Sequence, residues 1–140
     1  MDLLDVIPTD LQLLLSVLAF DIDPANSAED VFDFTKQGFS VAAADLLVAT
    51  IRNRFTDYKT TISEDDDLLR RLKNASGAHV ASGSKLSRYL MALQVRKGEK
   101  EILQNLLDLV QQFITSKSSR KRKRDINDAG LETGSQNGEE

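Results

Sequence analysis

The sequence predicts an all-α protein, a helical bundle of about six helices followed by a disordered C-terminal tail. Apolar residues recur at steps of three and four through most of the first 116 residues, the period of a helix that buries one face. The chain has two prolines, no tryptophan and few β-branched runs, which disfavours a sheet-rich fold. Beyond residue 116 the periodicity ends and Ser, Gly, Asn, Lys and Glu dominate, as is typical of disorder. We therefore expect a helical domain over 1–116 and a tail over 117–140.

The first predicted helix runs from about Asp10 to Ala19. Pro8 and Thr9 stand at its start, where a proline and a capping hydroxyl are favoured. Pro24 ends it, because the residue before a proline is pushed out of the helical region. The predicted apolar stripe consists of Leu11, Leu14, Leu15 and Leu18.

A short second helix is predicted from Ala28 to about Lys36. Ser27 with Asp30 three residues later resembles a capping box, with Asp in place of Glu or Gln. Gly38 is a natural C-terminal stop. The predicted buried side consists of Val31 and Phe34.

Two further helices follow. The third spans Val41 to Phe55 and places apolar residues on one face. The fourth starts at Ser63 and carries the acids Glu64–Asp67 in its first turn, where they stabilise the positive end of the helix dipole. A loop rich in Ser, Gly and Ala is predicted over Asn74–Ser84. The apolar residues of these helices are Leu47, Ile51 and Phe55 in the third and Leu68, Leu69 and Leu72 in the fourth.

Ser84 caps a long helical region that reaches about Thr115. Its first apolar stripe and its second are about 120° apart around the axis, so they do not lie in phase. Gly98 lies between them, and we expect a break or kink there, the alternative being different packing partners on the two halves. The first stripe consists of Leu86, Tyr89, Leu90 and Leu93, and the second of Leu103, Leu106, Leu107, Val110 and Ile114.

Composition excludes several classes of site. The absence of cysteine removes disulfides, thiolate zinc sites and cysteine nucleophiles, and a single histidine, His79, rules out a two-histidine metal site. No apolar run approaches the ~20 residues that span a bilayer, and the first residues do not resemble a signal peptide. We therefore expect a soluble, intracellular protein without a membrane partner.

Two local features could carry chemistry. The acids Glu64–Asp67 could be proposed as a cation site, but four consecutive helical positions fan out around the axis, so we interpret them as solvated acids at a helix start. His79 lies in the predicted Gly-rich loop without an inferable orienting partner, and we interpret it as a solvated histidine rather than a general base.

The tail carries the run Arg120, Lys121, Arg122, Lys123 and Arg124. Five consecutive cations on an extended tail are typical of a nuclear-import peptide, which an import receptor binds in an acidic groove. A solvated tail is the alternative. Nucleic acid is the least favoured partner, because residues 1–116 have a net charge of −5 and no aromatic residues interleave the run.

Two segments together carry a family resemblance: Tyr58–Leu69 reads YKTTISEDDDLL and Ala92–Leu103 reads ALQVRKGEKEIL. They resemble, in this order, the patterns Y-x-T-T-x-x-E-D-x-x-L-L and A-x-x-x-R-x-G-E-K-x-I-L. Both patterns occur in the C-terminal substrate-binding domain of SET-domain lysine methyltransferases of the Rubisco methyltransferase class. Ile7-Pro8 is similar to that domain's beginning, and the resemblance extends to about Ile114, closer to the ribosomal-protein and nuclear enzymes than to the chloroplast enzyme. The motif residues are Tyr58, Thr60, Thr61, Glu64, Asp65, Leu68, Leu69, Arg96, Gly98, Glu99 and Lys100.

The resemblance implies that methyl transfer from S-adenosylmethionine belongs to a SET domain. That domain's Gly-x-Gly segment, Asn-His pair and late catalytic tyrosine have no counterparts in this sequence, in which Tyr58 and Tyr89 lie in helical segments. We therefore carry over no catalytic, cofactor-binding or metal-binding residue and expect no cofactor in this chain. S-adenosylmethionine would serve the complete family enzyme, a protein-lysine N-methyltransferase, and whether this chain forms part of an enzyme stays open.

The motif residues are interpreted mainly as structural. Thr60–Ser63 would lead extended chain into a capped helix, and Leu68 and Leu69 would lie in the core. Arg96, Glu99 and Lys100 would form pairs along their own helix, each worth ~0.2–0.5 kcal/mol, with substrate contact as the alternative. The loop Asn74–Ser84 is longer than expected for the family.

The leading hypothesis is a protein-substrate recognition module of a SET-type lysine methyltransferase, inactive by itself, with a ribosomal or nuclear protein substrate. One alternative is a truncated portion of an active enzyme that uses S-adenosylmethionine. Another is a nuclear helical adaptor whose tail binds nucleic acid. The expected location is the nucleus, or nucleus and cytoplasm.

Overall fold

The structure, a computed structural model, describes residues 1–22, 38–76 and 81–129, with side chains described as far as Arg124. Five helices and no strand occur within these ranges, which confirms the predicted all-α class. In chain order they are α1 (Leu3–Val6), α2 (Thr9–Ile22), α3 (Val41–Thr56), α4 (Ile62–Ala75) and α5 (Lys85–Ala129). The helix predicted from Ala28 to Lys36 lies outside the described residues.

The chain divides into two compact units. Unit 1 comprises Met1–Asp45 and Val110–Glu140, and unit 2 comprises Leu46–Leu109. The division falls inside α3 and inside α5, so each of these helices contributes residues to both units.

Unit 1 begins with α1, a single turn that the sequence did not reveal. Four residues are too few for an apolar period to appear, and the helix depends on its caps instead. The Asp2 carboxylate accepts a hydrogen bond from the Leu4 backbone N–H. The Gln12 side-chain amide donates to the carbonyls of Leu4 and Ile7, at 3.0 and 2.7 Å. A side chain of α2 therefore fixes the end of α1.

The helix α2 confirms the first predicted helix and begins at Thr9, directly after Pro8. Of the predicted stripe only Leu15 is buried, and the other buried residues are Ser16 and Ala19. Leu14, which the stripe included, is 53% exposed. Leucines surround most of this helix, so the periodicity alone did not decide which face is covered.

The start of α3 and the last part of α5 complete unit 1. The Ser40 hydroxyl accepts a hydrogen bond from the Ala43 N–H at 3.1 Å, which caps α3. Phe39 packs edge-to-face against Phe113 with ring centroids 5.6 Å apart. Gly38 has φ +58°, the left-handed conformation that glycine adopts most readily.

In unit 2 the core consists of apolar residues from three helices, and the predicted third and fourth helices are confirmed as α3 and α4. The Ser84 hydroxyl accepts from the Ser87 N–H at 3.1 Å, as predicted for the start of α5. The buried apolar residues of this unit are Leu47, Val48, Ile51, Leu69, Leu93 and Leu107.

The long helix α5 corrects two expectations. It does not break at Gly98 but is continuous from Lys85 to Ala129, so the alternative of different partners on its two halves is the better interpretation. It also continues past Thr115, where the sequence predicted its end, and includes the basic run. Lys and Arg are good helix formers, and the side chains of residues 116–124 are exposed, so no buried face is needed to extend the helix.

Among the described residues, no helix has the length and apolar character needed to cross a lipid bilayer.

Candidate functional site

The two motif segments meet in unit 2 where α4 begins. Thr61 is the N-cap, and α4 begins at Ile62, one residue before the start at Ser63 that the sequence predicted. The Thr61 hydroxyl accepts from the Glu64 N–H at 3.2 Å, and the Glu64 carboxylate accepts from the Thr61 N–H at 2.7 Å. This reciprocal pair is a capping box. The hydrogen bond from the Thr61 backbone lowers the pKa of Glu64 below its ordinary value.

Asp65, the next residue of α4, is fully buried. Its carboxylate lies 2.6 Å from the Lys100 ammonium and 2.9 Å from Nη2 of Arg96, both on α5. The Thr60 hydroxyl donates to the same carboxylate at 2.6 Å. Three donors from two segments therefore converge on one buried acid. We call Thr60, Asp65, Arg96 and Lys100 the Asp65 cluster.

Lys100 is the buried cation of the cluster, with 1% of its surface exposed. Its ammonium donates to the Thr60 hydroxyl at 2.9 Å, to the Thr60 carbonyl and to the Asp65 carboxylate. An ammonium has three protons to donate, so these partners use its full capacity. The ammonium also lies 5.1 Å from the centre of the Tyr58 ring, within the range of a cation–π contact.

The electrostatics of Asp65 follow from these contacts. Burial raises the pKa of its carboxyl, but the hydrogen bonds from Lys100, Thr60 and Arg96 outweigh burial and hold the pKa at about 2, against an ordinary 3.8. Taking two ions out of water costs several kcal/mol per ion, which good geometry and further hydrogen bonds offset. The cluster therefore holds α4 against α5 as long as both charges are present.

Weaker polar contacts surround the cluster. The Tyr58 hydroxyl donates to the Glu99 carboxylate at 3.0 Å. The pKa of Tyr58 is raised, mainly by burial of the hydroxyl and next by this hydrogen bond. Lys97 lies 2.6 Å from Asp66 and 3.3 Å from Glu101, and the hydrogen bond to Asp66 raises the pKa of Lys97. These groups are partly exposed, and such pairs contribute little to stability.

Two sequence interpretations need correction here. The acids 64–67 are not a uniformly solvated set: Glu64 caps α4, Asp65 is buried, Asp66 pairs with Lys97, and Asp67 pairs with Arg70. Among the described residues, no group of three or more His, Cys, Asp or Glu residues is placed to hold a metal ion.

The second correction concerns the polar motif residues of α5. Arg96, Glu99 and Lys100 do not pair along their own helix. They bind across to Asp65, Tyr58 and Thr60. The contacts join segments 31 to 41 residues apart.

The remaining motif residues are divided between core and surface. Leu69 is buried and Leu68 is half-buried. Gly98 has no atom within 4 Å of the position that a Cβ would take. Nothing in the described chain therefore requires a glycine at that place in α5.

Thr60 is a site residue whose importance the sequence reasoning missed. It is the only motif residue that both donates to Asp65 and accepts from Lys100. The available signal was its position directly before the capping residue, since a hydroxyl there faces the first turn of the next helix.

Two grooves of unit 2 border the cluster. One, of about 550 Å³, runs between α4 and α5 and has a rim that includes Asp66, Lys97 and Glu101. The other, of about 470 Å³, adjoins the start of α4 and includes Tyr58 and Glu64. The carboxylates of these grooves have partners within the chain: Asp66 and Glu101 pair with Lys97, and Glu64 accepts from the Thr61 N–H.

The other predicted site residues lie elsewhere. The basic run 120–124 is exposed on α5, in unit 1. His79 lies outside the described residues.

Comparison with known proteins gives one match. A family model described as Rubisco LSMT substrate-binding matches residues 5–103, a range that contains both motif segments and the Asp65 cluster. No curated protein matches the chain. No solved structure matches it either.

Proposed function

The chain belongs to the Rubisco LSMT substrate-binding family, and on this premise we propose that it is a protein-substrate recognition module for a ribosomal or nuclear protein, without catalytic activity of its own. The observation that carries the proposal is the family match over both motif segments. Such a module holds the protein substrate of a lysine methyltransferase. Its physical requirement is a rigid helical surface.

The Asp65 cluster supports this role by providing rigidity. Thr60, Asp65 and Lys100 bind one another, so Asp65 and Lys100 are not available to a substrate without breaking a buried ion pair. Loss of Asp65 would leave Lys100 buried without an ionic partner, at a cost of ~3–5 kcal/mol. The motif therefore fixes the helices, and a substrate would bind to other faces.

The absence of activity is proposed from the sequence. The three SET hallmarks have no counterparts in the chain. The cofactor would belong to the complete family enzyme. Calorimetric titration of the full chain with S-adenosylmethionine should give no saturable heat, whereas clear 1:1 binding would contradict this part of the proposal.

The alternative is that the chain is a portion of an active methyltransferase. The same family match favours it, because the family's domain accompanies a SET domain. The genomic sequence before the Met1 codon distinguishes the two: an in-frame SET coding segment supports the alternative, and an immediate stop codon contradicts it.

For location we propose the nucleus, reached through the basic run. All five cations are exposed, and their segment of α5 has no buried face, so little packing opposes unwinding into the extended form that an import receptor binds. Replacing residues 120–124 by glutamine should abolish nuclear accumulation of a fluorescent fusion. A matched control replaces Lys85, Arg88 and Lys117, and unchanged nuclear accumulation of the run variant would contradict the proposal.

Binding tests the proposed function directly. The full chain is immobilised and exposed to a panel of purified ribosomal and nuclear proteins at physiological salt, with interferometry as the readout. We expect saturable binding of at least one panel protein, competed by soluble chain and retained in the glutamine variant of residues 120–124. An unrelated helical protein of net charge −4 controls for nonspecific attraction of basic proteins. Failure of every panel protein to bind would contradict the proposal.

A further inference from the structure

An apolar stripe lies exposed on α5 in unit 2. Met91, Val95 and Ile102 are 62%, 64% and 68% exposed. At about 100° per residue, they lie within about 40° of one another around the helix axis. Gly98 falls on the same face. We call Met91, Val95, Gly98 and Ile102 the α5 stripe.

The α5 stripe is the face opposite the one that packs on α4. Lys100 and Leu93 are 1% and 2% exposed, and both lie about 180° around the axis from the stripe. α5 is therefore apolar on two faces within unit 2, and only one of them is covered.

Gly98 is the unexplained residue of the stripe. Glycine weakens a helix relative to alanine, and a Cβ at this position would meet no atom within 4 Å. Gly98 does not have a positive φ, so no backbone strain requires it either. A glycine at the centre of an apolar face lets another helix approach the backbone closely. The close approach of a partner helix would therefore explain why this position is a glycine.

Arg88 gives the stripe a charge preference. It lies about 60° from Met91 around the axis, one turn before it. The other charged residue beside this face, Glu99, already accepts a hydrogen bond from the Tyr58 hydroxyl. It is exposed and pairs with no acid that the structure describes. A carboxylate on the partner would satisfy it.

We infer that the α5 stripe is the docking surface for an amphipathic helix of the substrate protein. That helix carries a small residue against Gly98, apolar residues against Met91, Val95 and Ile102, and a carboxylate against Arg88. The inference rests on the proposed function for the identity of the partner as a substrate. The stripe is about 17 Å long, at 1.5 Å per residue, so three turns of a helix cover it.

A second copy of this chain is a poorer occupant. A stripe one side chain wide buries far less than the ~800 Å² per partner of a stable dimer. The one acid beside this face, Glu99, already accepts a hydrogen bond from the Tyr58 hydroxyl, so a second copy would have to break that contact to give Arg88 a carboxylate.

The test uses a synthetic helix as the probe and the full chain as the receptor. The peptide is a fluorescein-labelled, side-chain-stapled helix with leucines at i, i+4 and i+11, alanine at i+7 and glutamate one turn beyond either end. A peptide of the same composition in scrambled order is the control. Fluorescence anisotropy should show saturable binding of the patterned peptide only.

Gly98→Ala gives two effects of opposite sign. It should raise the Tm by ~3 °C, because alanine favours the helix and meets no clash. It should also weaken binding of the peptide to the chain by at least ~5-fold, because the added methyl group overpacks the contact between the peptide and α5. A Gly98→Ala variant that is stabilised but binds the peptide unchanged would overturn the inference.

Charge exchange gives a second, independent readout. Arg88→Glu should weaken binding of the glutamate-bearing peptide by ~5-fold. A peptide with lysine in place of each glutamate should bind this variant with restored affinity. Lys85→Glu, about 120° from the stripe, is the matched control and should have little effect. Equal effects of both variants, or a concentration-dependent dimer abolished by Val95→Lys, would overturn the assignment of the occupant.

Failure of this inference and failure of the proposed function are distinguishable. If a panel protein binds but the peptide does not, and Gly98→Ala leaves panel binding unchanged, the inference alone fails. If the peptide binds as expected but no panel protein does, the proposed function fails and the assignment of the partner as a substrate is overturned with it.

Discussion

The Lys100 ammonium and the Asp65 carboxylate lie 2.6 Å apart, and neither side chain is more than 1% exposed. They join α5 to the first turn of α4 across 35 residues of sequence. A buried ion pair of this kind is sensitive to the loss of one partner and tolerant of the loss of both. This asymmetry separates a structural pair from a site that binds substrate through its charges.

Lys100→Met should therefore lower the free energy of unfolding by ~3 kcal/mol, because Asp65 loses its buried cation and keeps only the part-exposed Arg96 and the Thr60 hydroxyl. The double variant Asp65→Leu/Lys100→Met should recover most of that loss, since two apolar side chains require no partner. Urea unfolding followed by circular dichroism measures both. Lys97→Met is the control, and its partly exposed pair should contribute less than ~1 kcal/mol. A double variant less stable than Lys100→Met would contradict the assignment.

Acid should remove the contribution of Asp65. The pKa of Asp65 is depressed to about 2 from 3.8, so its stabilisation is present above pH 4 and is lost as the pH falls toward 2. The shift corresponds to ~2 kcal/mol, visible as a decrease in the free energy of unfolding between pH 4 and pH 2. Asp65→Asn should lose this part of the pH dependence, while Asp67→Asn should retain it. An identical slope in Asp65→Asn and wild type would refute the assignment.

The Asp65–Lys100 pair also shows what the sequence could and could not predict. The helices α3 and α4 followed from their apolar period, because each covers one face. The burial of Asp65 was not predictable from its neighbours, since acids at a helix start are usually solvated and its partner lies on another helix. The true N-cap had a local signal that was overlooked: Thr61 and Glu64 have the spacing of a capping box.

The continuity of α5 was likewise undecided at the level of sequence. Two apolar stripes out of phase indicate either a broken helix or a straight helix with different surroundings, and only the structure distinguishes them. Had Lys100 been assigned to the core, the rotation of α5 about its axis would have been fixed, and Met91 and Val95 would have been predicted to lie on the exposed face. Without that anchor, a helix with several apolar faces has no preferred orientation.

The capping box predicts a moderate and specific loss. Thr61→Ala should lower the free energy of unfolding by ~1 kcal/mol, because the Glu64 N–H loses its acceptor. Thr61→Ser should retain most of the stability, and Ser63→Ala, at the helix start predicted from sequence, should change it by less than ~0.5 kcal/mol. Thermal unfolding measures the series. A larger effect of Ser63→Ala than of Thr61→Ala would show that the cap is assigned to the wrong residue.

Tyr58 should ionise late. Its pKa is raised by burial and by the hydrogen bond to Glu99, so tyrosinate absorbance should appear above the ordinary pKa of 10. Tyr89→Phe removes the other tyrosine and isolates the signal. Glu99→Gln should lower the pKa of Tyr58 toward its ordinary value, because the negative charge beside the hydroxyl is removed. Ionisation of Tyr58 at or below pH 10 would contradict the contact.

The account's central claim is that the motif residues hold the module together while a protein substrate binds elsewhere. The most direct measurement is the Kd of a bound panel protein for wild type, Glu99→Gln and Arg96→Lys, the two most solvent-accessible charged positions of the motif on α5. The account predicts Kd values within about two-fold of wild type, because neither charge contacts the substrate. A loss of about ten-fold or more in affinity with an unchanged Tm would contradict the claim and place the substrate on the motif itself.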